Sequence, residues 1–261
     1  MRLLFTETLT FDEFMGDRFP PYAILSHTWD RQELNYHDML NPTLAVKMKA
    51  CYKKMMGFAI KSKELEYQHC WIDTCCIDKR SRVELTEAIN SIFLWYSASS
   101  VCIVYIQDYQ GPVFGRERLG LSRWFIRGLT LQELIAPRQL LFFNIDWSRI
   151  TVDTDLLLDI TGVPTRVLKD RRRLEQMSIA QKMCWASNRT TSRVENMAYY
   201  LMSLFDVNMT LLYGEGTKAF ARLQEEIIRT SINQSIFLGA GKADDLMSWQ
   251  GQCVLYTLFM W

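Results

Sequence analysis

Residues 20–26 read Pro20-Pro21-Tyr22-Ala23-Ile24-Leu25-Ser26, a short apolar run that is entered through two prolines. Proline favours extended backbone in the residue before it, and an uninterrupted apolar run of this length is typical of a strand buried on both faces. We therefore predict a first buried strand here, and its carboxyl end carries Ser26, His27, Thr28 and Trp29.

Three further apolar runs follow, and segments with helical spacing separate them. The predicted strands are Cys70–Asp73, Val101–Ile106 and Leu140–Phe143, and the predicted helices are Leu44–Leu65, Val83–Tyr96 and Arg123–Leu134. Strands that alternate with helices, each strand a continuous apolar run, predict an α/β fold with a parallel sheet flanked by helices.

From about Asp153 the pattern contains helices alone, with turn signals between them. The predicted helices are Thr154–Ile160, Ser178–Ser187, Val194–Phe205 and Thr217–Ser231. A C-terminal helical extension therefore follows the α/β part.

Ligands of parallel α/β sheets bind beyond the carboxyl ends of the strands. This rule brings the residues after the first strand, the segment from Asp73 to Asp78 and the residues after Ile106 to one edge of the sheet. Polar and aromatic side chains at this edge are the candidates for a binding site.

Glu133 is the carboxylate that most needs an explanation, because it lies among apolar residues of the stretch Arg123–Pro137. A glutamate is seldom buried unless it is paired or functional. One interpretation is an ion pair with Arg123 or Arg127 at the rim of a packed helix. The other is a catalytic carboxylate in a cleft.

Composition excludes several classes of function. The chain has 261 residues, 49% of them hydrophobic, and its net charge of +1 creates no overall field that would draw it to nucleic acid or to an anionic membrane. The uncharged run Ala88–Gln107 is long enough to span a bilayer, but its polar residues favour a helix, a turn and a strand, so we expect no membrane span.

The seven cysteines lie mostly inside apolar runs and no signal segment begins the chain, so we expect reduced thiols and a cytoplasmic protein. The group His69, Cys70, Cys75 and Cys76 suggests zinc, but neighbouring side chains on a strand point to opposite faces and no second ligand pair follows. We expect no metal site.

A Ser/His/Asp hydrolase and a phosphate-binding loop are disfavoured because their motifs are absent from the sequence.

Several long blocks carry a resemblance to a known family. They are Tyr22–Trp29, Trp71–Lys79 with Glu84–Asn90, Trp124–Pro137, and Leu211–Gly216. In order and spacing they resemble the fungal heterokaryon incompatibility (HET) domain. The resemblance implies a trigger of growth arrest and programmed cell death, a form of innate immunity, after fusion of genetically different cells.

The family often forms the effector end of larger receptors, so the resemblance also implies a receptor-type partner with a nucleotide-binding domain. By this resemblance we expect three parts: an α/β core at 1–150, a helical part at 151–237 and a divergent tail at 238–261.

A more distant similarity is to the Toll/interleukin-1 receptor (TIR) domain, a flavodoxin-like fold whose enzymatic members hydrolyse NAD. By that similarity Glu133 takes the place of the catalytic glutamate. NAD would then be a substrate, with no bound cofactor. Its nicotinamide is already a cationic leaving group, so one carboxylate near the ribose can stabilise the oxocarbenium-like transition state.

Such a site also needs an aromatic face for nicotinamide and donors for the diphosphate. Trp29 or Trp124 is the candidate for stacking. The strand-end amides near Ser26 and the cations Lys79, Arg80 and Arg82 are the candidates for holding the phosphates. The remaining candidate binding residues are His27, Asp73 and Asp78. The alternative function is a non-enzymatic module that signals death by homotypic assembly, with the same residues serving in packing and at an interface.

Overall fold

Two compact units make up the part of the chain that a computed structural model describes, which is residues 1–16, 18–110 and 116–230. The first unit comprises Met1–Trp124 and Glu133–Val152, and the second comprises Phe125–Gln132 and the chain from Asp153 onward. The predicted tail at 238–261 lies outside the described residues. The predicted division of the domain at residue 150 stays a prediction.

Seven strands form one sheet within the described residues of the first unit: β1 Arg2–Phe5, β2 Phe11–Glu13, β3 Tyr22–His27, β4 His69–Trp71, β5 Val101–Ile106, β6 Leu140–Asn144 and β7 Arg149–Ile150. Their order across the sheet is β2-β1-β4-β3-β5-β6-β7. Every residue of β3 and β5 is buried, as the uninterrupted apolar runs predict.

The sheet is mixed, so the prediction of a parallel sheet is wrong at both edges. The four predicted strands are parallel to one another, but β1 pairs antiparallel with β2 and β4, and β7 pairs antiparallel with β6. The connections from β1 to β2 and from β6 to β7 are too short for the crossover that a parallel pair requires, so these strands return as hairpins.

Helices flank the sheet and connect its strands. They are α1 Tyr36–Leu40, α2 Leu44–Lys47, α3 Ala50–Glu64, α4 Arg82–Ala98, α5 Arg116–Gly120, α6 Arg123–Ile126 and α7 Thr130–Ile135. The observed α4 begins where Ser81 accepts a hydrogen bond from the backbone N–H of Glu84, a common N-cap. The α/β class and the parallel core of the prediction are confirmed.

Two predicted helices of this region are each divided in two. The segment Leu44–Leu65 forms α2 and α3, and Arg123–Leu134 forms α6 and α7. The second break lies at Gly128, whose backbone N–H donates to Thr190 O at 2.8 Å. A Cβ at Gly128 would lie 2.7 Å from Thr191 Cγ2, so the close approach of the two segments requires glycine.

The second unit is helical in its described residues. Besides Phe125–Gln132, which contains parts of α6 and α7, its elements are α8 Thr154–Thr161, α9 Thr165–Lys169, a 3₁₀ helix at Arg171–Gln176, α10 Ile179–Ser187, α11 Glu195–Tyr199, a 3₁₀ helix at Met202–Leu204 and α12 Lys218–Thr230. The predicted helix Val194–Phe205 is therefore shorter than expected and ends in a tighter turn. The last residue of the predicted helix Thr217–Ser231 lies outside the described residues.

Gly57 in α3 allows the indole of Trp147 to pack directly on the helix backbone, because a Cβ there would lie 2.7 Å from Trp147 Cδ1. Alanine gains about 1 kcal/mol of helix propensity over glycine. Overpacking costs about 1–3 kcal/mol or more and should exceed this gain. We expect Gly57→Ala to lower the free energy of unfolding by roughly 1–2 kcal/mol, measured by urea denaturation.

Trp147→Leu provides the matched background for this test. With the indole removed, Gly57→Ala should become neutral or stabilising, because the helix propensity then acts alone. An equal loss in both backgrounds would show that Trp147 is not the group that Gly57 accommodates.

Candidate functional site

Ser26, at the carboxyl end of β3, lies at the centre of a buried hydrogen-bonded group. The indole Nε1–H of Trp124 donates to Ser26 Oγ at 2.7 Å, and the Ser26 hydroxyl donates to a carboxylate oxygen of Glu133. An indole N–H can only donate, so Ser26 accepts there and its single proton is directed to Glu133. The direction of the chain from Trp124 through Ser26 to Glu133 is thereby fixed.

Glu133 lies in α7 and is 6% exposed, so its carboxylate is buried. Burial, and after it the charge of Glu133, hold the pKa values of Tyr96 and Cys102 well above their usual range. Electrostatic interactions are stronger in such surroundings than in water. The hydrogen bond from Ser26 orients this buried carboxylate, which in its ionised form can stabilise a developing positive charge.

The position of Ser26 follows from the strand order. β3 lies between β4 and β5, so the chain moves to one side of β3 for the next strand and to the other side for the strand after it. Parallel α/β sheets bind ligands at such a switch point, beyond the carboxyl ends of the strands. Ser26 and His27 both lie at this point.

One interpretation of Glu133 is an ion pair with Arg123 or Arg127, and the structure shows other partners for Arg123. Its guanidinium lies 3.5 Å from Asp30 Oδ1 and 3.9 Å from Asp108 Oδ2. Its side chain is also 53% exposed, in contrast to the buried Glu133. Arg123 therefore belongs to the surface beside the site.

His27 belongs to a second buried group that begins at the same strand end. Its Nε2 lies 3.1 Å from Asp73 Oδ1, and its Nδ1 lies 3.0 Å from Lys54 Nζ. Lys54 Nζ also donates to Glu33 Oε1 at 2.6 Å. Burial, followed by the charge of Lys54, lowers the pKa of His27, while the hydrogen bond with Asp73 opposes this shift.

Asp73 connects His27 to the exposed ring of Trp29. The Trp29 Nε1–H donates to Asp73 Oδ2 at 2.8 Å, and Lys79 Nζ lies 3.6 Å from the centroid of the Trp29 ring. Trp29 is 37% exposed, so part of its ring is accessible to a ligand. Four of the sequence-predicted residues, His27, Trp29, Asp73 and Lys79, are thus brought together.

Trp124 is placed differently from Trp29. It is completely buried, and its ring packs edge-on against Phe142 with a centroid distance of 5.7 Å. These contacts, with the hydrogen bond to Ser26, give Trp124 a role in packing and in orienting Ser26. They favour the core interpretation of this residue over ring stacking.

Asp78 and Arg80 stabilise the loop before α4. The backbone N–H of Asp78 donates to Glu84 Oε1 at 2.7 Å, and its carboxylate lies 3.3 Å from His37 Nε2. The backbone N–H of Arg80 donates to Asp78 Oδ1 at 3.0 Å, and its side chain is exposed. Asp78 therefore has a structural role in the loop, and Arg80 presents its charge to solvent.

Lys54 and Glu33 belong to the group around His27 and are not identified by the sequence analysis. Lys54 follows Cys51 by three residues and precedes Phe58 by four, so it lies on the apolar face of α3. A lysine in a buried stripe requires a partner. That signal is present in the sequence for Lys54, whereas Glu33 lies in a loop and gives none.

The described residues meet the requirements neither of a metal site nor of a membrane-spanning helix. Across residues 1–16, 18–110 and 116–230, no cluster of three or more His, Cys, Asp or Glu side chains could hold a metal ion. His69 contacts Asp12 at 3.0 Å, and Cys70, Cys75 and Cys76 are buried free thiols. No helix in the described part of the chain is both long and apolar enough to cross a membrane.

Comparisons with known proteins agree with the motifs in the sequence. The family described as heterokaryon incompatibility protein (HET) matches residues 22–117. The vegetative incompatibility protein HET-E-1 of Podospora anserina is 40% identical over 223 residues, which cover 80% of this chain and 16% of that relative. The chain thus spans less than a fifth of the relative's length. No solved structure matches the chain.

The Ser26 hydroxyl should contribute to stability, because Ser26→Ala leaves both the Trp124 N–H and the Glu133 carboxylate without it. Loss of a buried hydrogen-bond partner costs about 1–3 kcal/mol. We expect a decrease of that size in the free energy of unfolding, measured by chemical denaturation.

Ser122→Ala is the matched control for this variant. Ser122 is also buried, and its hydroxyl has no hydrogen-bond partner within the part of the chain that the structure describes. Its removal should be neutral or stabilising. Equal effects of the two substitutions would contradict the role given to Ser26.

Stability should fall in mildly acidic solution because His27 is buried in its neutral form. Its folded pKa lies below the value of 6.5 for an unperturbed histidine, so the unfolded chain takes up the proton first. The contribution of neutral His27 to the free energy of unfolding is fully present above pH 6.5. It decreases as the pH falls from there towards the folded pKa, by at most about 1.4 kcal/mol per pH unit.

The measurement is urea denaturation of the wild type, His27→Gln and His37→Gln between neutral and acid pH. The slope below pH 6.5 should decrease in His27→Gln and persist in His37→Gln, since His37 is more exposed. Identical slopes in all three proteins would exclude His27 as the titrating group.

Proposed function

This chain belongs to the heterokaryon incompatibility (HET) family, and from that premise we propose that it is a fungal cell-death effector that hydrolyses NAD. A role in heterokaryon incompatibility follows from the family and from the similarity to HET-E-1. The chemistry is an inference from the Glu133 site, in which the N-glycosidic bond between nicotinamide and ribose is cleaved.

The observation that carries the proposal is the buried carboxylate of Glu133 beside Ser26. Cleavage of the glycosidic bond develops positive charge on the ribose, while nicotinamide leaves as a neutral molecule. A buried carboxylate held in place favours that transition state, and no general acid is required. Ser26 maintains the orientation of the carboxylate.

The arrangement of strands supports the proposed relation to TIR domains. When the four parallel strands are numbered along the chain, β3, β4, β5 and β6 are the first to the fourth, and their spatial order is 2-1-3-4. The flavodoxin-like fold has the order 2-1-3-4-5, with its ligand at the switch point between the first and third strands. Ser26 lies at that point in this chain.

The binding part of the proposed site lies at the group around Trp29. The exposed part of this ring is a surface for nicotinamide or adenine. Lys79 lies against Trp29, and the Arg80 side chain is exposed, so both cations are candidates for the diphosphate. These roles belong to the proposal.

The burial of Glu133 favours a second candidate function. At 6% exposure the carboxylate is accessible to substrate only after a rearrangement of its surroundings. A module that signals by homotypic assembly would use the same buried group for stability alone. In the enzymatic proposal, self-assembly or a receptor-type partner provides the rearrangement, and the protein acts in the cytoplasm.

Glu133→Gln separates the two functions, because it keeps the size of the side chain and removes its charge. We expect NAD loss and nicotinamide release by the purified protein to fall about 100-fold or more, as for removal of one stabilising group in other enzymes. Death of cells that express the protein should be lost together with turnover. Circular dichroism verifies that the variant is folded.

The matched control is Glu87→Gln, since Glu87 is exposed on α4. It should leave both activities unchanged. Killing that persists in Glu133→Gln would sink the enzymatic proposal and support the assembly module.

A further inference from the structure

The buried group around His27 contains a lysine whose hydrogen bonds determine the state of the other members. Lys54 is 7% exposed and His27 is 4% exposed, so neither is hydrated as it would be at the surface. Lys54 Nζ contacts Glu33 Oε1 at 2.6 Å and His27 Nδ1 at 3.0 Å. A buried ammonium group needs such acceptors.

The direction of each hydrogen bond follows from the chemistry of the groups. An ammonium group can only donate, so His27 Nδ1 accepts from Lys54 and carries no proton. The proton of the neutral ring therefore lies on Nε2, where it donates to Asp73 Oδ1 at 3.1 Å. Lys54 thus selects one of the two neutral tautomers of His27.

The chain of directed hydrogen bonds continues to the partly exposed ring of Trp29. Asp73 accepts from His27 with Oδ1 and from the Trp29 indole with Oδ2, so both carboxylate oxygens have fixed donors. The other tautomer of His27 would place a lone pair against the Asp73 carboxylate. Two acceptors would then face each other, and the position of Asp73 at the Nε1 edge of the Trp29 ring would be lost.

Glu33 links Lys54 by hydrogen bonds to the loop that carries Trp29. Its carboxylate accepts from Lys54 and also from the backbone N–H of Asp30 at 2.8 Å. The residue that follows Trp29 is therefore tied to the same lysine. Two chains of hydrogen bonds therefore connect Lys54 with Trp29 and its neighbour: one runs through His27 and Asp73, and the other runs through Glu33.

We infer that Lys54 is a positioning residue that selects the Nε2–H tautomer of His27 and thereby holds the Trp29 ring in place for the nicotinamide or adenine ring of a dinucleotide. The role of Trp29 in binding rests on the proposed function. The tautomer and the hydrogen bond between Trp29 and Asp73 are properties of the folded chain and can be tested without turnover.

The first experiment is NMR spectroscopy of the full chain labelled with ¹⁵N. At neutral pH, His27 should carry a proton on Nε2 and none on Nδ1. The chain has three histidines, so His37→Gln and His69→Gln complete the assignment. The Trp29 indole N–H, assigned with Trp29→Phe, should exchange slowly with solvent because Asp73 accepts it.

The second experiment compares Lys54→Met with Lys53→Met, its exposed neighbour on α3. In Lys54→Met we expect a mixture of His27 tautomers, a higher midpoint in the His27 titration and at least tenfold faster exchange of the Trp29 N–H. The KM for NAD should rise about tenfold, the magnitude of a lost stacking contact, with kcat within about twofold. Lys53→Met should match the wild type in the His27 tautomer, the His27 titration midpoint, the exchange rate of the Trp29 N–H and the kinetic constants for NAD.

Several outcomes would overturn the inference. One is a wild-type His27 with its proton on Nδ1, a result that needs no variant. Another is equal Trp29 exchange in the two lysine variants. If Lys54→Met does not fold, Glu33→Gln replaces it, and unchanged Trp29 exchange in that variant counts against the inference. Absence of NAD loss in cells that the wild type kills would reject the proposed function, while the NMR results still decide the role of Lys54.

Discussion

The structure of the first unit depends on the need to satisfy two adjacent polar side chains at the buried end of β3. Ser26 and His27 are 0% and 4% exposed, and neighbouring side chains of a strand point to opposite faces of the sheet. Each unsatisfied buried polar group would cost about 1–3 kcal/mol. Partners must therefore approach from both sides, and this requirement positions Glu133 on one side and Lys54 on the other.

The central part of the fold could be predicted from the sequence because its strands are buried on both faces. A continuous apolar run such as Val101–Ile106 has one stable environment, the interior of a covered sheet. The short edge strands have no such signature: β2 is three residues long and only partly buried. Their antiparallel pairing depends on loop length, and apolar runs carry no information about it.

The break between α6 and α7 shows a second limit of sequence patterns. Apolar spacing continues through residues 123–135, so periodicity predicts one helix. Gly128 instead permits a close contact with Thr190, which is distant in the sequence. A tertiary contact of this kind overrides local helix propensity, and a single sequence does not reveal which segment makes it.

Some members of the candidate site were predictable from the sequence, but the roles of its residues were not. The rule that ligands bind at strand ends selects His27, Trp29 and Asp73 without any coordinates. It does not distinguish Trp29 from Trp124, which have the same side chain but are 37% and 0% exposed. Nor does it reveal hydrogen-bond direction, which depends on Lys54 from a helix that the rule does not consider.

The burial of Glu133 is compatible with an enzyme that must be silent until it is needed. A closed state that is favoured by about 3 kcal/mol leaves roughly one molecule in 150 competent, which suppresses basal NAD loss by the same factor. Assembly or a partner that binds the open state better by that amount would restore activity. In the proposed enzyme, the burial that strengthens the electrostatic effect of the carboxylate would therefore also restrain it, and one structural feature would serve both requirements.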